Sequence, residues 1–413
     1  MEDHETLEVP RYFICPISLE IMKDPVTAIT GITYDRQTIE YWLSTAEDVL
    51  CPVTKQPLPK DSDLTPNHTL RRLIQAWCVT NADHGIDRIP TPKPPLCKSL
   101  VLKLLRNLKS PELYMNSLDS LYLLVSENEK NRRCLIEAGT TGAMVSLITK
   151  LSKERLTTNI VGLRHALKIL HLTCLTIPQK KLIIPKEDHE FIDSLLWVLG
   201  SDNMVEDDLV IEVQTLAILI LGMVMKVVAT NVLERLKFEF FKQAINVIRK
   251  RISPQAVKAT LRMLIDVCPW GRNRMKIVEA GGVFELVELE IDGIERNASE
   301  LLFALLADLC SCADGRAQLI KHAGGIAMVA KRMFRVSPGT DDRAVHILSL
   351  IGKFSATAEV VAEMMRVGAV SKLCIVLQVD YAPYLKKKSR EILKLHSNVW
   401  NSSPCTPLYL LTR

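Results

Sequence analysis

A recurring pattern in the long C-terminal part of the chain constrains the fold more than any other feature of the sequence. Four segments share an apolar helical pattern, a glycine and a second apolar stretch. They begin at Asn131, Asn273, Arg316 and Val361. Their glycines are Gly139, Gly281, Gly324 and Gly368. The last three glycines lie 43 and 44 residues apart, and the first gap of 142 residues leaves room for three units. A helix–turn–helix unit cannot bury its apolar face alone, so these units must stack.

The period of about 40–47 residues predicts an α-solenoid. Apolar residues recur four positions before each glycine, at Leu135, Ile277, Ile320 and Met364. They recur five positions after it, at Met144, Leu286, Val329 and Leu373. The residues EAG followed by an apolar helix resemble the armadillo repeat in particular. Two middle units, around residues 183–199 and 235–248, lack the glycine and are degenerate. An irregular helical bundle is the alternative.

Composition supports a mainly α-helical chain of more than one folding unit. The 413 residues exceed the size of a usual single core, and 48% are hydrophobic while only 5% are aromatic. The net charge of +5 is too mild to indicate nucleic acid or an anionic membrane as a partner. The longest uncharged apolar run, Val213 to Met225, is too short to span a bilayer. Eleven scattered cysteines do not indicate a disulfide framework, so we expect a reducing compartment, cytosol or nucleus.

The chain divides by composition into five zones. They are a tail at 1–8, a compact mixed domain at 9–82, a proline-rich linker at 83–96, the repeats at 97–400 and a second tail at 401–413. The linker holds four prolines, which fix the backbone in an extended form. The acidic N-terminus has no apolar core, so we do not expect a secretory signal.

Two Cys-Pro pairs in the mixed domain, at Cys15 and Cys51, raise the question of a metal site. A structural zinc needs about four ligands, usually in closely spaced pairs. Residues 10–82 contain only two further candidates, His68 and Cys78, and no Cys-x-x-Cys occurs in the chain. We therefore expect neither a metal nor another cofactor. With no nearby histidine in sequence to lower its pKa, Cys15 is not a predicted nucleophile, and we expect Cys15 and Cys51 to be buried, inert thiols.

The mixed domain reads as a small α+β fold. The segment VTAITGITYDR predicts two short strands joined at Thr30–Gly31. Asp35 then precedes RQTIEYWL as the expected N-cap of a central helix. Asn67 is the expected cap of a C-terminal helix, HTLRRLIQAWC. Two long loops flank the central helix.

The order CPISLEIMKDPV, TGITYDRQTIEYWL, CPVTKQPL and LTPNHTLRRLIQAWC resembles the U-box of ubiquitin ligases across residues 9–80. The resemblance implies the shape of a RING domain in which hydrogen bonds and salt bridges replace the metals. The structural residues that it implies are Cys15, Glu20, Asp24, Gly31, Tyr34, Asp35, Arg36, Cys51, Thr54 and Asn67. The sequence does not pair them.

Because armadillo-type repeats follow this domain in the sequence, the chain resembles the plant U-box/armadillo class of E3 ligases. The linker RIPTPKPP and the segment CPWGRNR at 268–274 are similar to a subgroup of immune and stress signalling that includes the CMPG proteins. This chain has Trp-Gly where that name implies Met-Pro-Gly, which puts only the subgroup in doubt. The alternative reading of CPWGRNR is a helix end followed by the next repeat.

The resemblance implies a ligase that holds a ubiquitin-charged conjugating enzyme (E2) beside a protein substrate without taking ubiquitin onto itself. The E2-binding residues that it implies are Ile17, Leu19, Trp42, Pro52 and Lys55. We expect Ile17 and Trp42 to be exposed, and Leu19 less so. Substrate would bind the concave face of the repeats, and a homodimer through the U-box stays open. A cytoplasmic location is expected, with nuclear or membrane association through partners.

Two alternatives belong to other functional classes. One is an inactive armadillo scaffold, against which the intact E2-binding residues argue. The other is a nuclear import receptor, which predicts tryptophans at a constant repeat position. Trp197, Trp270 and Trp400 do not fall at such a position.

Overall fold

The computed structural model describes residues 9–45, 50–60, 62–81, 96–154, 160–176, 189–200 and 208–400. They divide between two compact units, Met1–Pro95 and Leu96–Arg413. The two expected tails and residues 83–95 of the expected linker lie outside the described residues.

The first unit is a small antiparallel sheet with two helices. The strands are β1 (Pro25–Thr27), β2 (Thr33–Asp35) and β3 (Thr65–Pro66), in the order β2-β1-β3. The helices are α1 (Arg36–Thr45) and α2 (His68–Thr80), and a short 3-10 helix spans Arg11–Phe13. Gly31 lies in the turn between β1 and β2 with φ 79°, a left-handed conformation that glycine adopts without steric cost. The predicted hairpin is confirmed.

The core of this unit forms where α1 and α2 cover the sheet. Val26 and Tyr34 are buried from the strands, Ile39 and Leu43 from α1, and Ile74 from α2. Asn67 caps α2 as predicted, because its Oδ1 accepts a hydrogen bond from the backbone N of Leu70 at 3.0 Å.

The second unit is built entirely from helices in its described residues. The first are α3 (Lys98–Asn107), α4 (Tyr114–Glu127), α5 (Glu129–Glu137), α6 (Thr140–Lys153), α7 (Ile160–Thr176), α8 (His189–Leu199) and α9 (Asp208–Met225). Next come α10 (Thr230–Glu234), α11 (Phe238–Lys250), α12 (Pro254–Val267), α13 (Asn273–Glu279), α14 (Gly282–Asp292) and α15 (Arg296–Cys310). The last are α16 (Ala313–Lys321), α17 (Gly325–Arg332), α18 (Pro338–Phe354), α19 (Ala358–Arg366), α20 (Ala369–Gln378), α21 (Pro383–Leu395) and α22 (Ser397–Trp400).

These helices form a stack of three-helix units. Complete units are α5–α7, α10–α12, α13–α15, α16–α18 and α19–α21, and α8 with α9 supplies two helices of another. The third helices α7, α9, α12, α15, α18 and α21 pack one on the next. A single continuous apolar core runs through the stack. The solenoid prediction is confirmed, and three repeat steps separate Gly139 from Gly281.

The glycine pattern marks the turns correctly in three of the four units. Gly139, Gly281 and Gly368 all have left-handed φ values, of 86°, 85° and 78°. Gly324 has φ −99° and is not left-handed. Its unit has one extra residue between α16 and α17, which shifts the register. The expected core residue Ile320 is therefore only half-buried, and Leu319 is buried in its place.

The apolar helix α9 is long and apolar enough to cross a membrane by length and composition alone. In the structure most of it is buried, and it packs against α7 and α12. Its hydrophobicity is that of a core helix in a stacked array.

Candidate functional site

Two loops of the first unit have the same backbone structure. The first loop runs from Ile14 to Ile21 and the second from Leu50 to Pro57, and a β-bridge closes each one. In the first loop the N–H of Leu19 donates to the carbonyl of Cys15 at 2.9 Å. In the second the N–H of Lys55 donates to the carbonyl of Cys51 at 2.9 Å. A second hydrogen bond in each loop is donated by the cysteine N–H at 2.8 Å. The acceptor is the Glu20 carbonyl for Cys15 and the Gln56 carbonyl for Cys51.

The tip residues of the two loops are alike in conformation. Leu19 has φ 59° and Lys55 has φ 58°, and both side chains are exposed. Leu19 is the more conspicuous, because 75% of this apolar residue is accessible to solvent. The loops therefore present one apolar and one cationic side chain from equivalent positions.

Each loop is held by a cysteine sulfur that accepts hydrogen bonds. The N–H of Asp35 lies 3.3 Å from the Cys15 sulfur. The Cys51 sulfur lies 3.0 Å from the Tyr34 hydroxyl, 3.4 Å from the N–H of Thr54 and 3.5 Å from the Thr30 hydroxyl. Both cysteines and Tyr34 are completely buried. Two adjacent residues of β2 thus hold the two loops.

These hydrogen bonds change the ionisation of the thiols. Burial raises the pKa of Cys51, but hydrogen bonds from Thr30, Thr54 and Tyr34 outweigh burial and lower that pKa to about 6. The pKa of Cys15 is lowered too, because backbone hydrogen bonds led by that from Asp35 outweigh its burial. Burial and the neighbouring Cys51 raise the pKa of Tyr34. The expectation of inert packing thiols is therefore incomplete: the thiols are buried, but they are polar centres.

No group of three or more His, Cys, Asp or Glu side chains is arranged to hold a metal within the described ranges. What surrounds the two sulfurs instead is a set of hydroxyl and amide donors. These donors supply the hydrogen-bonding interactions that a buried polar atom requires.

A charged network joins the first loop region to both helices. The Asp24 carboxylate lies 2.6 Å from Nε of Arg36 and 3.6 Å from a terminal nitrogen of Arg71. Arg36 also lies 3.7 Å from Glu40 on the next turn of α1. The sequence predicted Asp24 and Arg36 but missed Arg71, because nothing in the pattern of α2 identifies its distant partner.

The expectation that Asp35 caps α1 is wrong. Its Oδ1 accepts hydrogen bonds from the backbone N–H groups of Lys23 and Asp24, at 2.8 and 2.9 Å. Asp35 is the last residue of β2 and pairs with Pro25 at the start of β1, so its side chain reaches the loop residues that immediately precede β1. It fixes that loop rather than the helix.

Three other residues of the predicted network differ in their roles. Thr54 donates its N–H to Cys51 and accepts at Oγ1 from the N–H of Gln56 at 3.4 Å. Asn67 caps α2 and donates its N–H to the carbonyl of Pro25 at 2.9 Å. Glu20 participates through its backbone carbonyl, which accepts from Cys15; among the described residues its carboxylate makes no hydrogen bond or ion pair.

The predicted E2-binding residues lie on the two loops and on the helix between them. Ile17 and Trp42 are half-buried against the core, whereas Leu19 is exposed at the loop tip. The expected order of exposure is therefore wrong: Leu19, at the left-handed tip of the loop, is more exposed than Ile17 or Trp42. Pro52 is half-buried. The indole N–H of Trp42 donates to the carbonyl of Leu50 at 3.1 Å and so links α1 to the second loop.

Comparisons with known proteins agree with this architecture. A family model described as the U-box domain matches residues 9–83. A second, described as the plant U-box protein ARM repeat region, matches residues 100–413. This chain belongs to the plant U-box/armadillo-repeat family. Its repeats are thus armadillo repeats and its first unit is a U-box.

Relatives of this plant U-box protein carry a named activity. The E3 ubiquitin-protein ligase PUB23 of Arabidopsis thaliana is 43% identical over 98% of this chain and 96% of its own length. PUB24 of the same plant, also an E3 ubiquitin-protein ligase, is 40% identical over 100% of this chain and 97% of its own. The U-box protein described here is accordingly an E3 ubiquitin-protein ligase, a ubiquitin transferase that works with an E2 and ubiquitin.

A solved structure from work on the interaction between cadherin and beta-catenin has the same fold in its repeats. Its TM-score is 0.55 at 9% identity, covering 80% of this chain and 58% of that chain. At this identity the similarity concerns the fold alone. The armadillo region suggests a protein substrate for this U-box ligase.

The segment CPWGRNR proves to be a repeat boundary in this family member. It begins at Cys268, directly after α12 ends, and α13 begins at Asn273 within it. Gly271 has φ 53° and lies against the backbone of Glu234. A Cβ added at Gly271 would lie 3.1 Å from the Glu234 carbonyl oxygen. Local chain geometry accounts for this motif.

Proposed function

We propose that the tips of the two loops, with Trp42 between them, form the surface that binds the E2. The observation that carries the proposal is Leu19, a large apolar side chain that is 75% exposed on a loop with a fixed backbone. Exposed apolar groups on rigid supports are typical of interaction sites. Ile17, Leu19 and Pro52 supply apolar contact, and Trp42 fixes the spacing of the loops.

Lys55 has a different role in this proposal. Its ammonium sits at the tip of the second loop, equivalent to Leu19, and is exposed. We assign it to the acidic or polar groups where the E2 meets its bound ubiquitin. A lysine is a flexible point charge, so this contact orients ubiquitin less rigidly than an arginine fork would.

The reaction requires no nucleophile from the ligase. The amine of a substrate lysine attacks the thioester carbonyl between ubiquitin and the E2, a C–N bond forms, and the C–S bond breaks with release of the E2 thiolate. The amine proton passes to a base or to water. The ligase contributes proximity and a restricted orientation of the charged E2. Substrate is proposed to lie on the surface formed by the third helices of the repeats.

A reconstituted autoubiquitination assay with full-length protein tests the E2 surface. We expect Leu19→Asp and Ile17→Asp each to lower the rate by more than about tenfold, because each removes apolar contact at the interface. Trp42→Ala should lower it as much, because it removes the indole that links α1 to the second loop. Ile29→Asp is the matched control, since Ile29 is a 63% exposed apolar residue of the same unit on the β1–β2 turn. Its rate should stay near wild type.

The outcome against the proposal is full activity in a folded Leu19→Asp or Trp42→Ala protein. Folding is checked by hydrogen exchange in residues 9–81. If the wild-type protein itself shows no ubiquitin transfer with any E2 tested, the inactive armadillo scaffold becomes the better description of this chain.

We also propose a cytoplasmic protein of defence or stress signalling, in which a U-box homodimer is one option. The similarity of the linker RIPTPKPP to the immune and stress subgroup supports the pathway. Imaging of the tagged protein, with abundance of ubiquitinated proteins compared before and after an immune elicitor, tests location and pathway together. Light scattering of the purified protein tests the dimer.

A further inference from the structure

Two cysteines lie together at the start of the armadillo region. Cys97 immediately precedes α3 and is the one exposed cysteine among the described residues. Cys134 lies in α5 and is half-buried. Neither takes part in the U-box or in the repeat glycine pattern, so the function described above does not account for them.

The hydrogen bond of Cys134 shows how near the two residues are. Its sulfur lies 3.6 Å from the carbonyl oxygen of Leu96, the residue bonded to Cys97. Standard peptide geometry puts the Cα of Cys97 about 2.8 Å from that oxygen, hence within about 6.4 Å of the Cys134 sulfur. A disulfide joins Cα atoms about 4.4–6.8 Å apart, whereas this contact bounds the distance from the Cys97 Cα to the Cys134 sulfur. Helices α3 and α5 pack against each other, and Cys97 precedes the first turn of α3. Side-chain rotation together with a backbone movement at Cys97 would bring the two sulfurs into bonding range.

The two thiols differ in the way that a reactive pair requires. The Cys97 sulfur lies 2.6 Å from the Ser99 hydroxyl at the N-terminus of α3, with Lys98 beside it. The hydrogen bond from Ser99, followed by that from the Leu100 N–H, lowers the pKa of Cys97. Burial, and then the charge of Glu137, raise the pKa of Cys134. Cys97 has the accessible, thiolate-prone sulfur, and Cys134 is placed to resolve its oxidised form.

We propose that Cys97 and Cys134 are an oxidant-sensitive dithiol whose disulfide fastens the first armadillo helix to α5. With a hydroperoxide as oxidant, the Cys97 thiolate attacks one peroxide oxygen, the O–O bond breaks, and a sulfenic acid and one water or alcohol result. The Cys134 sulfur then attacks the Cys97 sulfur, and the S–O bond breaks with loss of water. Two thiols are oxidised, and one peroxide is reduced.

The disulfide would matter because α3 is weakly held. Val101 is the one residue of this helix that is fully buried. A covalent link at its first turn restricts the unfolded chain between residues 97 and 134 and opposes fraying of the helix. Oxidation therefore tightens the N-terminal end of the armadillo stack.

Peptide mapping of the full-length protein tests the pairing. The protein is treated with hydrogen peroxide, alkylated and digested with trypsin without reduction. Cleavage after Arg88, Lys98, Arg133 and Lys150 yields peptides 89–98 and 134–150, each with one cysteine. We expect these two peptides to be joined in the oxidised protein and separate after reduction. Cys97→Ser and Cys134→Ser should each abolish the joined species.

The control is Cys312→Ser, which changes a half-buried cysteine at another helix start and should leave the cross-link intact. In Cys134→Ser, Cys97 should accumulate as a sulfenic acid trapped by dimedone. Amide exchange over residues 98–108 should slow by at least about tenfold on oxidation of the wild type only. A Cys97–Cys97 link between molecules, overoxidation of Cys97 without a link, or unchanged exchange in α3 would overturn the proposal.

Discussion

The thiol of Cys51 lies 3.0 Å from the hydroxyl of Tyr34, and both residues are completely buried. The next residue in β2, Asp35, approaches the Cys15 sulfur with its backbone N–H at 3.3 Å. A short strand therefore connects to both loops through consecutive residues, one by its side chain and one by its backbone. Changes at β2 should affect the two loops together, although the loops are far apart in sequence.

Tyr34→Phe should destabilise the U-box by about 1–2 kcal/mol, because it removes a buried hydrogen bond and keeps the ring. The readout is hydrogen exchange in peptides from residues 9–81 of the full-length protein. Val79→Ala is a suitable control, since Val79 is exposed on α2. A Tyr34→Phe protein with wild-type exchange in the second loop would show that the hydroxyl does not support that loop.

Stability of the U-box should rise with pH between about 6 and 9. The pKa of Cys51 falls from 9.0 to about 6 in the folded state, so the unfolded state binds more protons across this window. The contribution is complete above the unfolded value and is lost as the pH falls through the folded value. The lowered pKa of Cys15 acts in the same direction.

The pH prediction is tested by opening free energies from hydrogen exchange at pH 6.5 and 8.5, corrected for intrinsic rates. Cys51→Ala should show a smaller increase than the wild type. An equal increase in Cys51→Ala would assign the dependence to other groups. Tyr34 and Cys78 have raised pKa values and act only at higher pH, outside this comparison.

Asp24 and Arg36 should couple by about 1 kcal/mol in a double-mutant cycle, because their atoms lie 2.6 Å apart and both side chains are half-buried. Arg36 and Glu40, at 3.7 Å within one helix, should couple by less than about 0.5 kcal/mol. Denaturant unfolding followed in the U-box gives both values. Equal coupling energies would mean that the contact between Asp24 and Arg36 stabilises the domain no more than the pair within the helix.

The adjacent glycines Gly281 and Gly282 should respond very differently to alanine. At Gly281 the cost is conformational, about 1–2 kcal/mol, because φ is 85° while an added Cβ meets nothing within 4 Å. At Gly282 an added Cβ would lie 2.7 Å from the backbone oxygen of Ile277. Gly282→Ala should therefore destabilise the repeats by more, about 3 kcal/mol or above. Thermal unfolding of both variants, compared with Gly142→Ala, decides the order.

Chelation should leave the ligase step unchanged. The sulfurs of Cys15 and Cys51 accept hydrogen bonds from protein groups. We therefore expect EDTA not to alter the rate at which the ligase discharges ubiquitin from an E2 that was charged beforehand. The E2 is charged first because charging requires Mg²⁺ with ATP. Stoichiometric zinc in the purified protein, or discharge that EDTA slows, would contradict this prediction.

The sequence predicts local structure correctly where one residue acts on its immediate neighbours. The Asn67 cap and the Gly31 turn are of this kind, since each depends on a few residues of chain. The position of Asp35 before a helix favours a cap, whereas the fold brings the Lys23 and Asp24 amides to its carboxylate. Tertiary contacts of this kind leave no trace in spacing.

The same limit explains the errors in burial. Ile17 and Leu19 are both large aliphatic residues, yet Ile17 is half-buried while Leu19, at the left-handed tip of the loop, is exposed. In the repeats, Gly324 fits the period of the sequence, but one extra residue before α17 moves the buried position from Ile320 to Leu319. Periodicity predicts that units stack; it does not detect an insertion of one residue.

The left-handed tips have an evolutionary and engineering consequence. Leu19 and Lys55 both carry a Cβ, and their left-handed backbone conformation costs a residue with a Cβ about 1 kcal/mol or more. Glycine at either position would relieve that strain. Neither exposed side chain offsets this cost by packing in the core. Selection for thermostability alone should therefore favour glycine at both positions. A variant library sorted for folding would lose Leu19 and Lys55, whereas a library sorted for ubiquitin transfer would retain them.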